Sequence, residues 1–381
     1  MINKRPLLSI VIPTKDRYYY LKKLIELIDS FHSDEIELVL QDNTADNTEI
    51  LEFLKLKDYP YIKYAHNSEQ IPISLNSDLA ILNSTGEYVC FIGDDDGVTR
   101  YIVDCVKWMK KNDVDTVIPS IISYTWPDYH NIRGLTYSGK FMHEKFDNKI
   151  IYVDPIDSLN SIMERGFINR GNLPLVYHGI VKRTTLDEIY KIGNTYFPGS
   201  SPDIANGVAL SLLVKKYVNI SFPIIISGAS KTHGGGIRKM KNRAANIEDL
   251  PFLPKNAKEN WERNIPKVWT GETVWCESAI KALRYMNRED LIEKVNFEYM
   301  YAKFIAFHFP LRKLAYDLSE NKLKLFVSSS ITIIKRYFNA GISLISLKVF
   351  GKAGRKITCS NVENINQCIE ILQSKHIKLP F

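Results

Sequence analysis

Three consecutive carboxylates, Asp94–Asp96, are the residues in this sequence most suited to chemistry, and they lie within the run FIGDDDGV at 91–98. Carboxylates this close repel one another unless a cation neutralises them. Mg²⁺ and Mn²⁺ take oxygen ligands, typically one or two carboxylates plus substrate phosphates. Asp94 and Asp96 are two residues apart, so in extended chain they point the same way. We predict a divalent-ion site there, with Asp95 beside the bound cofactor. A solvated acidic turn is the alternative, and an EF-hand is excluded because its sixth position would be Thr99.

Two polar turns follow other apolar runs. PTKDR at 13–17 offers Thr14, Asp16 and Arg17, which could supply backbone N–H groups and a cation to a nucleotide, or simply start a helix. Asp42 follows ELVL at 37–40 and could accept hydrogen bonds from a base or ribose. The alternative for Asp42 is an Asx-turn.

A further acid and a basic loop lie later in the chain. Asp203, in GSSPDIANG at 199–207, is a candidate general base if it faces the same crevice. The competing interpretation is helix capping, with Ser201 at the N-cap and Asp203 in the first turn. The segment 230–243, SKTHGGGIRKMKNR, suits a lid over a diphosphate, with His233 as a candidate metal ligand; a mobile solvated loop is the alternative.

The elements that must position these residues alternate. Strands are predicted at 7–12, 37–40, 61–65, 87–92 and 116–119, with helices at 17–31, 46–56, 73–83 and 98–111. Such alternation predicts a parallel sheet covered by helices on both faces. Ligands bind outside the carboxyl ends of such strands, so the three N-terminal clusters should converge on one crevice. Later strands are predicted at 175–182 and near 218–226, and from about 250 the pattern is helical.

Composition narrows the class of protein. The 381 residues are 45% apolar and 24% charged, with a net charge of +7, which favours anionic partners without naming one. Five cysteines without a C-x-x-C pair argue against a disulfide framework or zinc site and fit a reducing cytosol. We expect neither a signal peptide nor a membrane-spanning helix. Phosphate-loop and dinucleotide-binding glycine motifs are absent.

The chain resembles glycosyltransferase family 2, the inverting family with the GT-A fold. The resemblance rests on five segments that occur in the family's order: LSIVIPTKDR, ELVLQDNTADN, PISLNSDLAI, NSTGEYVCFIGDDDG and SPDIANGVAL. The resemblance covers roughly residues 6–230 by motif order. It implies an α/β, Rossmann-like, mostly parallel sheet flanked by helices, with a mainly helical C-terminal extension. It divides the chain into a nucleotide-sugar-binding domain at 1–120, an acceptor-binding and catalytic part at 121–245, and a helical region at 246–381.

The resemblance also implies roles for individual residues. Asp42 would contact the base, Asn76 would lie near the donor, and Asp94 and Asp96 would hold Mg²⁺ or Mn²⁺ on the diphosphate of a UDP-sugar. Asp203 would take the proton from the acceptor hydroxyl in an inverting displacement. A catalytically inactive nucleotide- or glycan-binding relative and a sugar nucleotidyltransferase remain alternatives.

The segment 321–362 contains eight basic residues and no acid, interleaved with apolar residues. This pattern is typical of a helix on an anionic membrane surface, although a core-packed helix with a basic solvated face also fits. The resemblance adds a glycan or lipid-linked acceptor and a cytoplasmic location at the inner membrane face. The sequence does not favour nucleic acid as a partner, and it leaves the oligomeric state open.

Overall fold

The computed structural model describes residues 5–129, 138–144, 146–231, 244–349, 356–373 and 380–381. The strands are β1 Leu8–Thr14, β2 Ile36–Asp42, β3 Ile62–His66, β4 Tyr88–Phe91, β5 Gly97–Val98, β6 Thr116–Thr125, β7 Lys140–Glu144, β8 Ile150–Val153, β9 Ile180–Lys182, β10 Tyr217–Ala229 and β11 Lys356–Cys359. The helices are α1 Tyr18–Asp29, α2 Thr48–Lys55, α3 Ile73–Leu82, α4 Tyr101–Lys111, α5 Pro155–Met163, α6 Arg183–Gly193, α7 Pro202–Ser211, α8 Gly271–Tyr285, α9 Phe297–Phe307, α10 Arg312–Tyr316, α11 Lys322–Val349 and α12 Ile365–Gln373.

The N-terminal strands form a parallel sheet in the order β3-β2-β1-β4. Every residue of β2 and all but one of β1 are buried, as expected for central parallel strands covered on both faces. The predicted alternation of strands and helices is therefore confirmed in this part of the chain. It brings the carboxyl ends of β1, β2 and β4 to one edge.

Beyond β4 the sheet becomes mixed. β9 pairs antiparallel with both β4 and β6, while β10 pairs parallel with β6 and antiparallel with β5 and β8. The predicted fold class, an α/β sheet flanked by helices with a helical C-terminal region, is confirmed. Parallel pairing is concentrated in the N-terminal half, because β9 lies between β4 and β6 and runs antiparallel to both.

Two hydrophobic clusters cover the sheet, one on each face, and a third lies among the helices. Residues of α1, α4 and α12 form the first with the sheet, and residues of α3, α6 and α7 form the second. The third joins α5, α7, α8 and α9. Among the described residues, no helix combines the length and apolarity required to cross a bilayer.

The end of the chain returns to the sheet, which the helical pattern after residue 250 did not predict. β11 pairs antiparallel with β7, and α12 packs against α1. Ile365 lies so close to Gly97 that a Cβ at position 97 would be 2.5 Å from its side chain. The C-terminal segment thus supports the backbone that directly follows Asp96.

Candidate active site

The carboxyl ends of β1 and β4 meet at the acidic run. The two strands are parallel neighbours, so the residues that follow them lie at the same edge of the sheet. The hydroxyl of Thr14 donates a hydrogen bond of 2.7 Å to Oδ2 of Asp94. Two of the predicted clusters are therefore in direct contact.

Arg17 neutralises two of the three carboxylates. Its Nε lies 3.0 Å from Oδ1 of Asp94, and its Nη2 lies 2.5 Å from Oδ2 of Asp95. Burial raises the pKa of Asp94 to about 7, and the nearby Arg17 guanidinium opposes that rise. The chain thus supplies its own cation to part of the cluster. The predicted pairing of Asp94 with Asp96 around a metal stays a prediction, and in the folded chain Asp94 has Arg17 and Thr14 as its protein partners.

Asp96 has a separate set of partners. Its Oδ2 lies 2.7 Å from Nε2 of His178 and accepts a 2.7 Å hydrogen bond from the backbone N–H of Gly93. Its Oδ1 accepts a 2.7 Å hydrogen bond from the backbone N–H of Gly228. Asp96 is buried, and these donors hold its carboxylate in one orientation.

His178 is a site residue that the sequence analysis missed. The continuous strand predicted over 175–182 is restricted to Ile180–Lys182, because His178 adopts a φ of 59° and turns the chain. A side chain at Gly179 would meet the carbonyl of Leu175, so the turn requires glycine there. The His178-Gly179 pair inside an apolar run was the available signal, since a left-handed residue beside glycine marks a turn.

Oxygens of Asp95 and Asp96 lie close together beside Gly93. A Cβ at position 93 would lie 3.1 Å from Oδ2 of Asp96 and 3.3 Å from Oδ1 of Asp95. Glycine at position 93 therefore adds no side-chain atom beside these two oxygens. No group of three or more candidate metal ligands occurs among the described residues. The donor set fits a Mg²⁺ or Mn²⁺ ion that takes its remaining ligands from a diphosphate and water.

Asp203 lies in the first turn of α7 and is partly exposed. The hydroxyl of Ser201, the predicted N-cap, donates a 2.6 Å hydrogen bond to Oδ1 of Asp203, and its oxygen accepts no hydrogen bond from the N–H groups of the helix. Burial raises the pKa of Tyr177 well above its usual value, and the charges of Asp96, Asp95 and Asp203 add to that effect. The Tyr177 hydroxyl lies 3.4 Å from Oδ2 of Asp96, and Tyr177 is also close enough to Asp203 to be affected by its charge.

The helical region positions the loop before Asp203. The backbone N–H of Ser201 donates a 2.8 Å hydrogen bond to Oγ of Ser278 on α8. A Cβ at Gly199 would lie 2.8 Å from the Cβ of Ser278, so α8 packs directly on the loop backbone. Part of the region after residue 246 thus contributes to the site without supplying a reacting group.

The remaining predicted residues differ in accessibility. Asp42 is completely buried and accepts hydrogen bonds from the hydroxyls of Tyr18 and Tyr64 and from the N–H of Thr44. Asp16 has an exposed side chain and a φ of 57°. Asn76 on α3 is buried, and its Oδ1 has no hydrogen-bond partner in the described structure.

The start of the predicted lid contacts the acidic run. The backbone N–H and hydroxyl of Ser230 both donate to Oδ2 of Asp95, at 3.1 and 2.7 Å. Nε1 of Trp126 donates a 2.8 Å hydrogen bond to the carbonyl oxygen of Asp95. His233 and most of the predicted lid lie outside the described residues.

The sequence is similar to that of known glycosyltransferases. Residues 9–167 match the model of glycosyl transferase family 2. The chain is 33% identical over 94 residues to the GalNAc(5)-diNAcBac-PP-undecaprenol beta-1,3-glucosyltransferase of Campylobacter jejuni, which is 24% of this chain and 30% of that protein. The match thus covers less than a third of that relative's length.

Among solved structures, S. aureus TarS 1-349 in complex with UDP-GlcNAc has a TM-score of 0.48 at 14% identity, covering 88% of this chain and 92% of that one. A second structure, of S. aureus TarS 1-349, has a TM-score of 0.45 at 14% identity, covering 88% of this chain and 91% of that one.

Proposed function

We propose that this chain, whose residues 9–167 match the model of glycosyl transferase family 2, transfers a sugar from a UDP-sugar to a hydroxyl of a glycan or lipid-linked acceptor, with inversion. The observation that carries the proposal is the contact between two strand ends, where Thr14 and Arg17 engage Asp94 and Asp95. A cation and three carboxylates at the carboxyl edge of a parallel sheet form a charged crevice suited to a nucleotide diphosphate.

In the proposed arrangement Arg17 lies beside the donor diphosphate. Its side chain is 18% exposed, and its Nε and Nη2 pair with Asp94 and Asp95. A planar guanidinium binds phosphate oxygens through paired N–H donors. The unpartnered Oδ1 of buried Asn76 supports its predicted place near the donor, since a buried acceptor without a donor costs free energy until a ligand supplies one. Asp42 and Asp16 would contribute to the nucleoside side of this crevice.

We assign the divalent ion to Asp95 and Asp96, whose oxygens border the space above Gly93. Asp94 would remain paired with Arg17, and His233 stays a candidate further ligand. When bound, Mg²⁺ or Mn²⁺ would neutralise charge that builds on the leaving nucleoside diphosphate. His178 and the backbone N–H of Gly228 would hold Asp96 in the orientation that this requires.

Asp203 is the proposed general base. Its partial exposure allows an acceptor hydroxyl to reach it, and the hydroxyl of Ser201 orients its carboxylate. Asp203 would receive the proton as the acceptor oxygen attacks the anomeric carbon from the face opposite the leaving group.

The acceptor class is supported by the C. jejuni relative, whose name describes transfer to a glycan on an undecaprenyl diphosphate. A lipid-linked acceptor would place the enzyme at the cytoplasmic face of the membrane, as the sequence predicts. The match covers too little of the relative to suggest the donor sugar or the linkage.

The test is UDP release from a panel of UDP-sugars, with and without Mn²⁺, with Asp96→Asn as the inactive variant. We expect metal-dependent UDP release by the wild type and none by the variant, with similar melting temperatures. Release of pyrophosphate would indicate a nucleotidyltransferase. Nucleotide-induced thermal stabilisation without turnover, even with lipid-linked glycan added, would indicate a binding protein.

A further inference from the structure

One face of α11 is apolar and exposed. Its large apolar residues are 47–74% exposed and lie three to five positions apart: Leu323, Phe326, Ile331, Ile334, Phe338 and Ile342. We call this set the α11 face. The opposite side, with Leu325 and Ser329 buried, packs on α9. The α11 face extends about 29 Å at 1.5 Å per residue. An exposed apolar surface of this size marks an interaction site.

Phe307 and Phe309 are two further exposed apolar side chains in the helical region. They are 47% and 52% exposed at the end of α9 and just after it. Each ring is covered by an arginine, with the guanidinium of Arg336 4.4 Å from the Phe307 ring centre and that of Arg312 4.6 Å from the Phe309 ring centre. Aromatic rings combined with basic side chains suit the boundary between lipid headgroups and acyl chains.

The charges around the α11 face indicate that its binding partner is anionic. The segment 321–362 contains no acid, and helical spacing places Lys324 and Lys335 along one border of the α11 face. We propose that the α11 face lies on an anionic lipid bilayer, with the apolar residues at the acyl boundary and the basic ones at the headgroups. A partner protein would need a long apolar strip bordered by acids, whereas an anionic membrane supplies both properties without specific complementarity.

This proposal is independent of glycosyl transfer, so its test uses binding alone. The full chain is sedimented with vesicles of neutral phosphatidylcholine or with vesicles containing roughly one-third phosphatidylglycerol. We expect sedimentation with the anionic vesicles at low salt and its loss at high salt. A protein that stays in the supernatant with anionic vesicles at low salt would overturn the proposal.

Two matched double variants separate the α11 face from apolar exposure in general. Phe326→Ser with Ile334→Ser removes two residues of the face, and Leu56→Ser with Ile192→Ser removes two exposed apolar residues elsewhere. The first variant should bind anionic vesicles at least about tenfold more weakly, and the second should bind like the wild type. Both should keep the wild-type melting temperature. Equal binding by all three proteins would refute the assignment.

Self-association is the remaining outcome. If the wild type is an oligomer by light scattering and Phe326→Ser with Ile334→Ser makes it a monomer without changing vesicle binding, the α11 face is a subunit interface and the membrane proposal is wrong.

Discussion

Nε2 of His178 lies 2.7 Å from Oδ2 of Asp96, and both side chains are almost completely buried. The two residues come from different turns, one after β4 and one before β9, which are antiparallel neighbours. The contact therefore depends on the pairing of these strands. It makes His178 a positioning residue for the carboxylate that we assign to the metal.

His178→Gln should lower the transfer rate about 10–100-fold, because partners of metal-binding groups typically contribute that much to affinity or activity. The Mn²⁺ concentration for half-maximal rate should rise as well, which a purely structural role would not produce. His308→Gln is the control, since His308 forms a comparable buried contact of 3.1 Å with Glu272 in the helical region. If the only effect of both variants is a loss of stability, and the Mn²⁺ dependence of the rate stays at the wild-type value, His178 does not position Asp96.

Arg17→Met should destabilise the protein by about 3–5 kcal/mol, since it leaves two buried carboxylates without their cation. Mn²⁺ should restore more stability to this variant than to the wild type, because a divalent ion can replace the missing charge. Melting temperatures with and without Mn²⁺ measure both effects. Lys15→Met removes an exposed charge from the same turn and should have little effect. An Arg17→Met variant with normal stability and no metal response would contradict the role of Arg17.

Asp203→Asn should reduce the transfer rate about 10²–10⁴-fold while nucleotide affinity stays near the wild-type value. The variant retains size and hydrogen-bonding capacity but cannot accept the proton. Asp157→Asn is the matched control, since Asp157 also lies in the first turn of a proline-initiated helix, α5. Any loss of helix-dipole stabilisation, about 0.3–1 kcal/mol, should be common to both variants. Near-normal transfer by Asp203→Asn would move the base to another residue.

Glu37→Gln should cost stability in a pH-dependent way. Burial alone would raise the pKa of Glu37, but hydrogen bonds from Lys63, Ser9 and Thr85 outweigh it and lower the pKa to about 2. A depressed carboxyl pKa stabilises the folded state above the unfolded value near 4.5, and this stabilisation is lost as pH falls toward 2. The expected loss in Glu37→Gln is about 3 kcal/mol at pH 7.

Urea unfolding of the wild type and the Glu37→Gln variant, repeated between neutral and acid pH, checks this prediction. The difference in unfolding free energy should shrink below about pH 4.5. Glu87→Gln, which breaks a more exposed pair with Lys110, should cost under about 1 kcal/mol at every pH. A Glu37→Gln penalty that does not change with pH would show that the carboxylate charge is not responsible.

The periodicity of the first 120 residues was sufficient to predict the parallel strands, and with them the edge where Thr14, Arg17 and Asp94 meet. Local pattern determines these features because an apolar run of strand length must be buried, and consecutive parallel strands end at the same edge. The resemblance to glycosyltransferase family 2 rests on the same motifs, and the match over residues 9–167 bears it out.

Only the tertiary structure decided how the three carboxylates are divided. Sequence spacing suggested Asp94 with Asp96, because alternate residues of an extended chain face the same way. The folded chain adds partners that this spacing did not predict: Arg17 for Asp94, and His178, 82 positions away along the chain, for Asp96. Likewise, no local pattern indicated that α12 returns to α1, or that α8 supports the loop before Asp203. Such contacts depend on packing between segments distant in sequence. The amino-acid type therefore determines what bonds a side chain can form, and the tertiary structure determines with which residue it forms them.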